Sequence, residues 1–445
     1  MTIAARLVPF GILAMTVALP GSSMGQSAED PTGAIPTLVR LENPRQVPGP
    51  ATFSMREAVE TALTQSLDIQ DAYLALEEAD ERVSEAWSSV MPKVDFTGSY
   101  TRNIAPAVAF FPGGIFPGTE EGDFIKVQVG ADNAWASTFV LDQPLFEAQA
   151  FIGVGAASRF KGLQEEVLRG RAQNLVTRVR LAYYGVLLGQ EDLRLTTESV
   201  ARVQQSLEET QALNRAGIAS DYDVLRLEVE LANLTPNLRR AENAVTQARR
   251  QLAIELNIEA MEDLRVTGSL AAMDLYGVEE NTPANQEILR LGSLDLALNA
   301  TVDEVLGLAM EGRSDLKQLE LTEKLRTAEL RAEQAEYFPK ISLFANYAIN
   351  AQQNGSPDWF ADENSRATSK FVGITVTFPI FTGLRRDARI DQKRALLNQA
   401  KNQSALARLQ AEGSVKSIRE QAEEALARAR GQQLAVEQAR RGFEI

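Results

Sequence analysis

Few residues in this chain could do chemistry. It has 445 residues, no histidine and no cysteine. The commonest general base, the commonest metal ligand and every thiolate site are therefore missing. The acidic pairs Glu165-Glu166 and Glu423-Glu424 are adjacent in sequence, so on helices they point apart and cannot share a substrate. Gly153-Val154-Gly155 has two of the three glycines of a dinucleotide turn, which is a weak signal. The best local constellation is Gly217-Ile218-Ala219-Ser220-Asp221-Tyr222-Asp223. There Gly217 can end one helix, Ser220 can cap the next, and Asp221 and Asp223 meet its positive end. Catalytic, cofactor and metal residues are expected to be none.

The elements around this turn are long. Glu147 to about Asn214 lacks proline and is rich in helix formers. Some 65 residues at ~1.5 Å each make about 100 Å of helix, which needs a partner along its length. Gly153, Gly155, Gly162, Gly170, Gly185 and Gly189 are costly there. They imply either close packing or curvature, or a frayed start. A return helix runs from Ser220 to about Asn257, with a kink expected at Pro236.

The chain also contains itself twice. Ser54–Asn103 slides by 247 residues onto Thr301–Asn350 without a gap, and Pro144-Leu145-Phe146 meets Pro379-Ile380-Phe381 at an offset of 235. Each copy opens with a capping box, Ser54/Glu57 and Thr301/Glu304. The first opening helix is expected to run unbroken to about Val90, before Pro92. The period then changes to two. Val94, Phe96, Gly98 and Tyr100 share a face, as do Trp135, Ser137, Phe139 and Leu141. Ile341, Leu343, Ala345, Tyr347 and Ile349 repeat the pattern, as do Val372, Ile374, Val376 and Phe378. Four runs of about 9–11 residues have the length of membrane-spanning strands. Ala105–Val129 and Ala351–Ser369 are expected as their loops. A second long helix is expected from Thr382 to Glu444. The counterpart of Gly217 would fall near position 452, so the chain is expected to be a truncated fragment, one that forms no pore where the intact gene product would.

Residues 1–25 form a secretory signal: Arg6, the mostly apolar Leu7–Leu19, and a cleavage site at Ser23-Met24-Gly25. Their loss would take the net charge from −15 to −16. That charge and the lack of a basic cluster exclude nucleic acid as a partner. No later run of 18 apolar residues exists, so any membrane crossing must use strands. A Pro-rich arm spans 26–52, the first repeat 53–257, a linker 258–300, and the second, incomplete repeat 301–445.

This order of elements resembles the TolC family of outer-membrane efflux proteins. The resemblance rests on the junctions Met91-Pro92-Lys93, Gln143-Pro144-Leu145-Phe146, Phe338-Pro339-Lys340 and Phe378-Pro379-Ile380-Phe381-Thr382-Gly383, and on the turn at Gly217–Val224. It implies a mainly helical fold with membrane β: coiled-coil helical hairpins in a periplasmic α-barrel, and four strands per chain in a homotrimeric twelve-stranded barrel. It implies a passive exit duct for efflux or type I secretion, in the outer membrane of a Gram-negative bacterium. The partners would be outer-membrane lipid, a periplasmic adaptor and an inner-membrane transporter. Gly217, Ile218, Ala219 and Ser220 would touch the adaptor, with Asp221 and Asp223 as tip acids that either join a cation-favouring ring of carboxylates or simply cap the helix. Pro92, Pro144, Pro339 and Pro379 would mark helix–strand junctions. The rival reading is a periplasmic coiled-coil adaptor or scaffold without a pore.

Overall fold

A computed structural model describes residues 52–112, 118, 120, 124–259, 263–270, 301–358 and 363–443. The signal, nearly all of the Pro-rich arm and most of the linker lie outside them.

The elements run as follows. A short strand β1 (Thr52–Phe53) precedes helices α1 (Met55–Gln65) and α2 (Leu67–Ser88). Strands β2 (Lys93–Arg102), β3 (Val108–Pro112), β4 (Phe124–Gln128) and β5 (Asn133–Phe146) follow. Then come α3 (Ala148–Arg215), α4 (Asp221–Leu256) and β6 (Arg265–Val266). The second half carries α5 (Val302–Gly312), α6 (Ser314–Gln334), a 3-10 turn (Ala335–Tyr337), β7 (Lys340–Gln353), β8 (Arg366–Thr377) and α7 (Arg385–Phe443).

The opening helix is not continuous. It breaks at Ser66, whose ψ is 127°, and its counterpart breaks at Arg313, with ψ 116°. The two breaks lie 247 positions apart, as do the capping boxes on Ser54 and Thr301. Neither break contains proline. Both are clamped from outside: Asn257 Nδ2 donates to the Gln65 carbonyl at 3.1 Å, and Arg169 and Gln173 donate to the Gly312 carbonyl at 3.1 and 3.0 Å. The freed end carbonyls of α1 and α5 are satisfied by neighbouring side chains, so the chain can turn there.

The long helix α3 is regular from its first turn and does not fray. Of its six glycines, Gly170 and Gly189 approach another helix, and Gly155 meets only Arg159 of its own. A Cβ on Gly170 would sit 2.8 Å from Ser314 Oγ. Helix α4 stays helical through Pro236. Helix α7 starts at Arg385 rather than Thr382, because Gly383 and Leu384 adopt φ of 63° and 61°, which an α-helix cannot use.

The four long strands form one antiparallel sheet in the order β2-β5-β7-β8. Register puts Val94 beside Leu141, Phe96 beside Phe139 and Tyr100 beside Trp135. It also sets Phe139 beside Tyr347, Leu343 beside Ile374 and Ala345 beside Val372. One face is therefore largely apolar across β2, β5 and β7, with Ser137, Thr368, Lys370 and Arg366 among its polar members, and it carries a ring ladder from Phe96 to Phe139 (4.7 Å) to Tyr347 (6.4 Å). The other face is mostly polar, including Lys93 beside Asp142 and Thr97 beside Thr138. Strands β7 and β8 are longer than expected, so their loop shrinks to 354–365. The expected loop 105–129 instead contains the hairpin β3–β4.

The core sits where α1, α3 and α4 meet. Met55, Ala58, Ala62, Leu175, Val179, Val186, Leu252 and Leu256 are buried there. Tyr183, also buried, places its hydroxyl 2.7 Å from the Thr267 carbonyl and 3.1 Å from that of Phe53. It thereby fixes the parallel pair β1–β6 onto α3.

Candidate functional site

The turn between α3 and α4 is built entirely from local chemistry. Gly217 takes φ of 77°, a left-handed conformation glycine reaches without steric cost. Its N–H donates to the Asn214 carbonyl at 2.8 Å, and that of Ile218 donates to Leu213 at 2.9 Å. These two bonds make a Schellman end for α3. Ser220 then caps α4. Its Oγ accepts from the Asp223 N–H at 3.2 Å, and Asp223 Oδ2 accepts from Ser220 N–H at 3.1 Å and from its hydroxyl at 2.6 Å. Asn214 Nδ2 ties both sides together, donating to the Ala219 carbonyl at 3.0 Å and to Asp221 Oδ1 at 2.9 Å.

The hydroxyl of Ser220, then its N–H, holds the Asp223 carboxyl below the usual carboxylate range. Both tip acids are thus engaged in the turn itself. Around them the surface is apolar: Ile218 is 75% exposed and Tyr222 71%, with Leu225 and Val229 also exposed. Tyr222, Leu225 and Val229 follow an i, i+3, i+7 spacing, the signal by which sequence alone could have marked this stripe.

Three of the four prolines sit between a helix and a strand. Pro92 separates α2 from β2, Pro339 precedes β7, and Pro379 follows β8. Pro144 lies within β5, at the register shift against β7. Proline in a central strand is tolerated at such an irregularity. Gln143 Nε2 braces that position, donating to the carbonyls of Val90 at 3.0 Å and Pro144 at 2.7 Å.

Among the described residues, the weak catalytic signals of the sequence do not converge. Gly153-Val154-Gly155 lies inside α3, not at a strand end. Glu166 pairs with Arg169, Glu423 with Arg419, and Glu424 with Arg428. Among the described residues no group of three acids could hold a metal ion, and no helix is long and apolar enough to cross a membrane.

A sheet with one apolar face leading into helices of 68 and 59 residues is an unusual combination. The model of one family, described as outer membrane efflux protein, matches residues 58–256 and 305–445. The chain belongs to this family. It is similar to the alkaline protease secretion protein AprF of Pseudomonas aeruginosa, at 27% identity over 60% of this chain and 50% of that protein. It is also similar to the probable efflux pump outer membrane protein TtgC of Pseudomonas putida, at 25% identity over 66% of this chain and 53% of that one. The match therefore spans about half the length of these relatives. The solved structure of the outer membrane protein VceC from Vibrio cholerae shares the fold, with a TM-score of 0.65 at 16% identity, over 87% of this chain and 83% of that one. The protein is an outer-membrane protein of a Gram-negative bacterium and extends into the periplasm.

Proposed function

We propose that three copies of this chain assemble into a passive exit duct. The observation that carries this is the four-stranded sheet. Its outer strands β2 and β8 have no partner on their free sides among the described residues. In lipid every strand edge must be paired, so such a sheet has to close on something. Threefold repetition, with β2 of one copy against β8 of the next, closes it with twelve strands. The polar face, with Lys93, Asp95, Asn346 and Ser369, then lines the lumen, and the ladder of Phe96, Phe139 and Tyr347 meets lipid. The helices continue the wall as an α-barrel in the periplasm. The common offset of the caps and breaks supports two structural repeats that share this wall.

In this reading the tip from Gly217 to Ser220, with its exposed Ile218 and Tyr222, receives a periplasmic adaptor. An inner-membrane transporter supplies cargo through that complex, for efflux or secretion. Asp221 and Asp223 hold the tip's shape while adding negative charge to its rim. A pore-free periplasmic scaffold would explain the helices but not the apolar sheet face, on which Val94 is 68% and Ile374 63% exposed.

The test is made on outer membranes from a host expressing the gene. A heat-modifiable trimer that conducts in a planar bilayer is expected. A soluble periplasmic monomer would refute the duct.

A further inference from the structure

A groove of about 470 Å³ lies between α3 and α6, just below the sheet. Phe151, Ile152 and Ala328 give it apolar walls, and Arg159, Lys324 and Arg331 line it with positive charge. No carboxylate lines it. Lys324 pairs with Glu320 at 2.6 Å, while Arg159 donates only to the Gly155 carbonyl of its own helix, at 2.9 Å. Arg331 meets no carboxylate among the described residues. The chain carries 60 acidic and 45 basic residues, so acids were available to neutralise this spot. Two arginines left without carboxylates, beside a lysine and over apolar walls, suit an anion that has an apolar tail.

Position identifies the anion. Helix α3 begins at Ala148, immediately after β5 ends at Phe146. At ~1.5 Å per residue, Phe151 lies about 5 Å and Arg159 about 17 Å along the helix from that point. Arg331 is as close to the start of β7 at Lys340. Exposed Trp87, Tyr337, Phe338 and Phe381 lie at the helix–sheet junctions, as aromatic side chains do at a membrane–water boundary. We propose that the groove binds a phospholipid of the periplasmic leaflet. Its phosphate sits between Arg159 and Arg331, and an acyl chain lies along Phe151 and Ile152. This inference rests on the membrane placement of the sheet and does not require conduction.

The experiment places the full chain in nanodiscs containing phosphatidylglycerol and counts retained lipid by native mass spectrometry. Arg159→Gln with Arg331→Gln should weaken retention at least about tenfold, the loss expected for charge-assisted contacts. Arg239→Gln with Arg240→Gln removes equal charge from α4 and should leave retention unchanged. Millimolar inorganic phosphate should not displace the lipid. Equal retention in the first variant overturns the site, as does an equal loss in the control pair. Displacement by inorganic phosphate overturns the lipid in favour of a free-anion site. Conductance measured on the same samples keeps the two readings apart: loss of conductance with lipid retained would sink the duct alone.

Discussion

Gly170 should be the least replaceable glycine of α3. A Cβ there would lie 2.6 Å from Gln318 Nε2, 2.8 Å from Ser314 Oγ and 3.3 Å from Ser314 Cβ. The Gln318 amide is the end of a flexible chain and can retreat. Ser314 cannot retreat as easily, because it is 1% exposed and its hydroxyl donates to the Glu166 carbonyl at 2.6 Å. Turning that hydroxyl away leaves a buried donor unmet, at a cost of about 1–3 kcal/mol. Forcing the helices apart costs about 1–3 kcal/mol more. Alanine returns about 0.5–1 kcal/mol of helix propensity. Gly170→Ala should therefore destabilise by about 1–5 kcal/mol net. Gly162 and Gly185, on the same helix, have nothing within 4 Å of a built Cβ, so alanine there should be neutral or stabilising. Denaturant titration followed by circular dichroism compares the three variants at one protein concentration. If Gly170→Ala unfolds at the same midpoint as Gly185→Ala, the close-packing account of α3 and α6 is wrong.

Tyr183→Phe should cost about 1–2 kcal/mol by stripping the Phe53 and Thr267 carbonyls of their shared donor, and exchange of the Thr267 amide should speed up. Asn133 is fully buried, accepts from Tyr100 and Arg102 at 2.9 and 2.8 Å, and donates to Gly355 at 3.1 Å. Asn133→Ala should cost about 2–3 kcal/mol, and added protease should cut the 354–365 loop faster. The capping carboxylates Glu57, Asp223 and Glu304 are all held low, chiefly by hydrogen bonds from Ser54, Ser220 and Thr301. A lowered folded pKa gives stability that is present above the unfolded carboxylate pKa of about 4 and is lost as pH falls through the folded value. Melting temperature should thus drop on acidification below that range, less steeply in Glu57→Gln; an equal slope in the variant would refute the linkage.

The helix ends were legible because their causes are local. Ser54, Ser220 and Thr301 each place a carboxylate three residues on, and Gly217 has no Cβ to resist its turn. The breaks at Ser66 and Arg313 were not legible, since the groups that stabilise them, Asn257, Arg169 and Gln173, come from other helices. The hairpin β3–β4 was hidden by flanking proline and glycine, which read as loop although Val108–Pro112 and Phe124–Gln128 pair in register. The tip turn could be drawn residue by residue, whereas the stripe of Tyr222, Leu225 and Val229, although marked by its i, i+3, i+7 spacing, is shown to face outward only by its exposure in the structure.

The two ends of the helices are held very differently, and that difference bears on where motion can occur. At the sheet, Arg386 is 6% exposed and reaches three groups: the Pro379 carbonyl at 2.9 Å, the Glu336 carbonyl at 3.2 Å and Thr382 Oγ1 at 3.2 Å. Its guanidinium also lies 4.5 Å from the Tyr337 ring, and the Tyr337 hydroxyl donates to Asp387 at 2.6 Å. Lys340 pairs with Glu147 across the other junction. These contacts join segments distant in sequence, so a strand cannot rotate without its neighbour's helix. At the tip, the hydrogen bonds of Asn214, Ser220, Asp221 and Asp223 all stay within the turn. The α3–α4 pair can therefore swing at its tip while keeping every one of them, whereas movement at the sheet would have to break several. In the proposed duct, the periplasmic tip is therefore the end free to move and the sheet the end held fast.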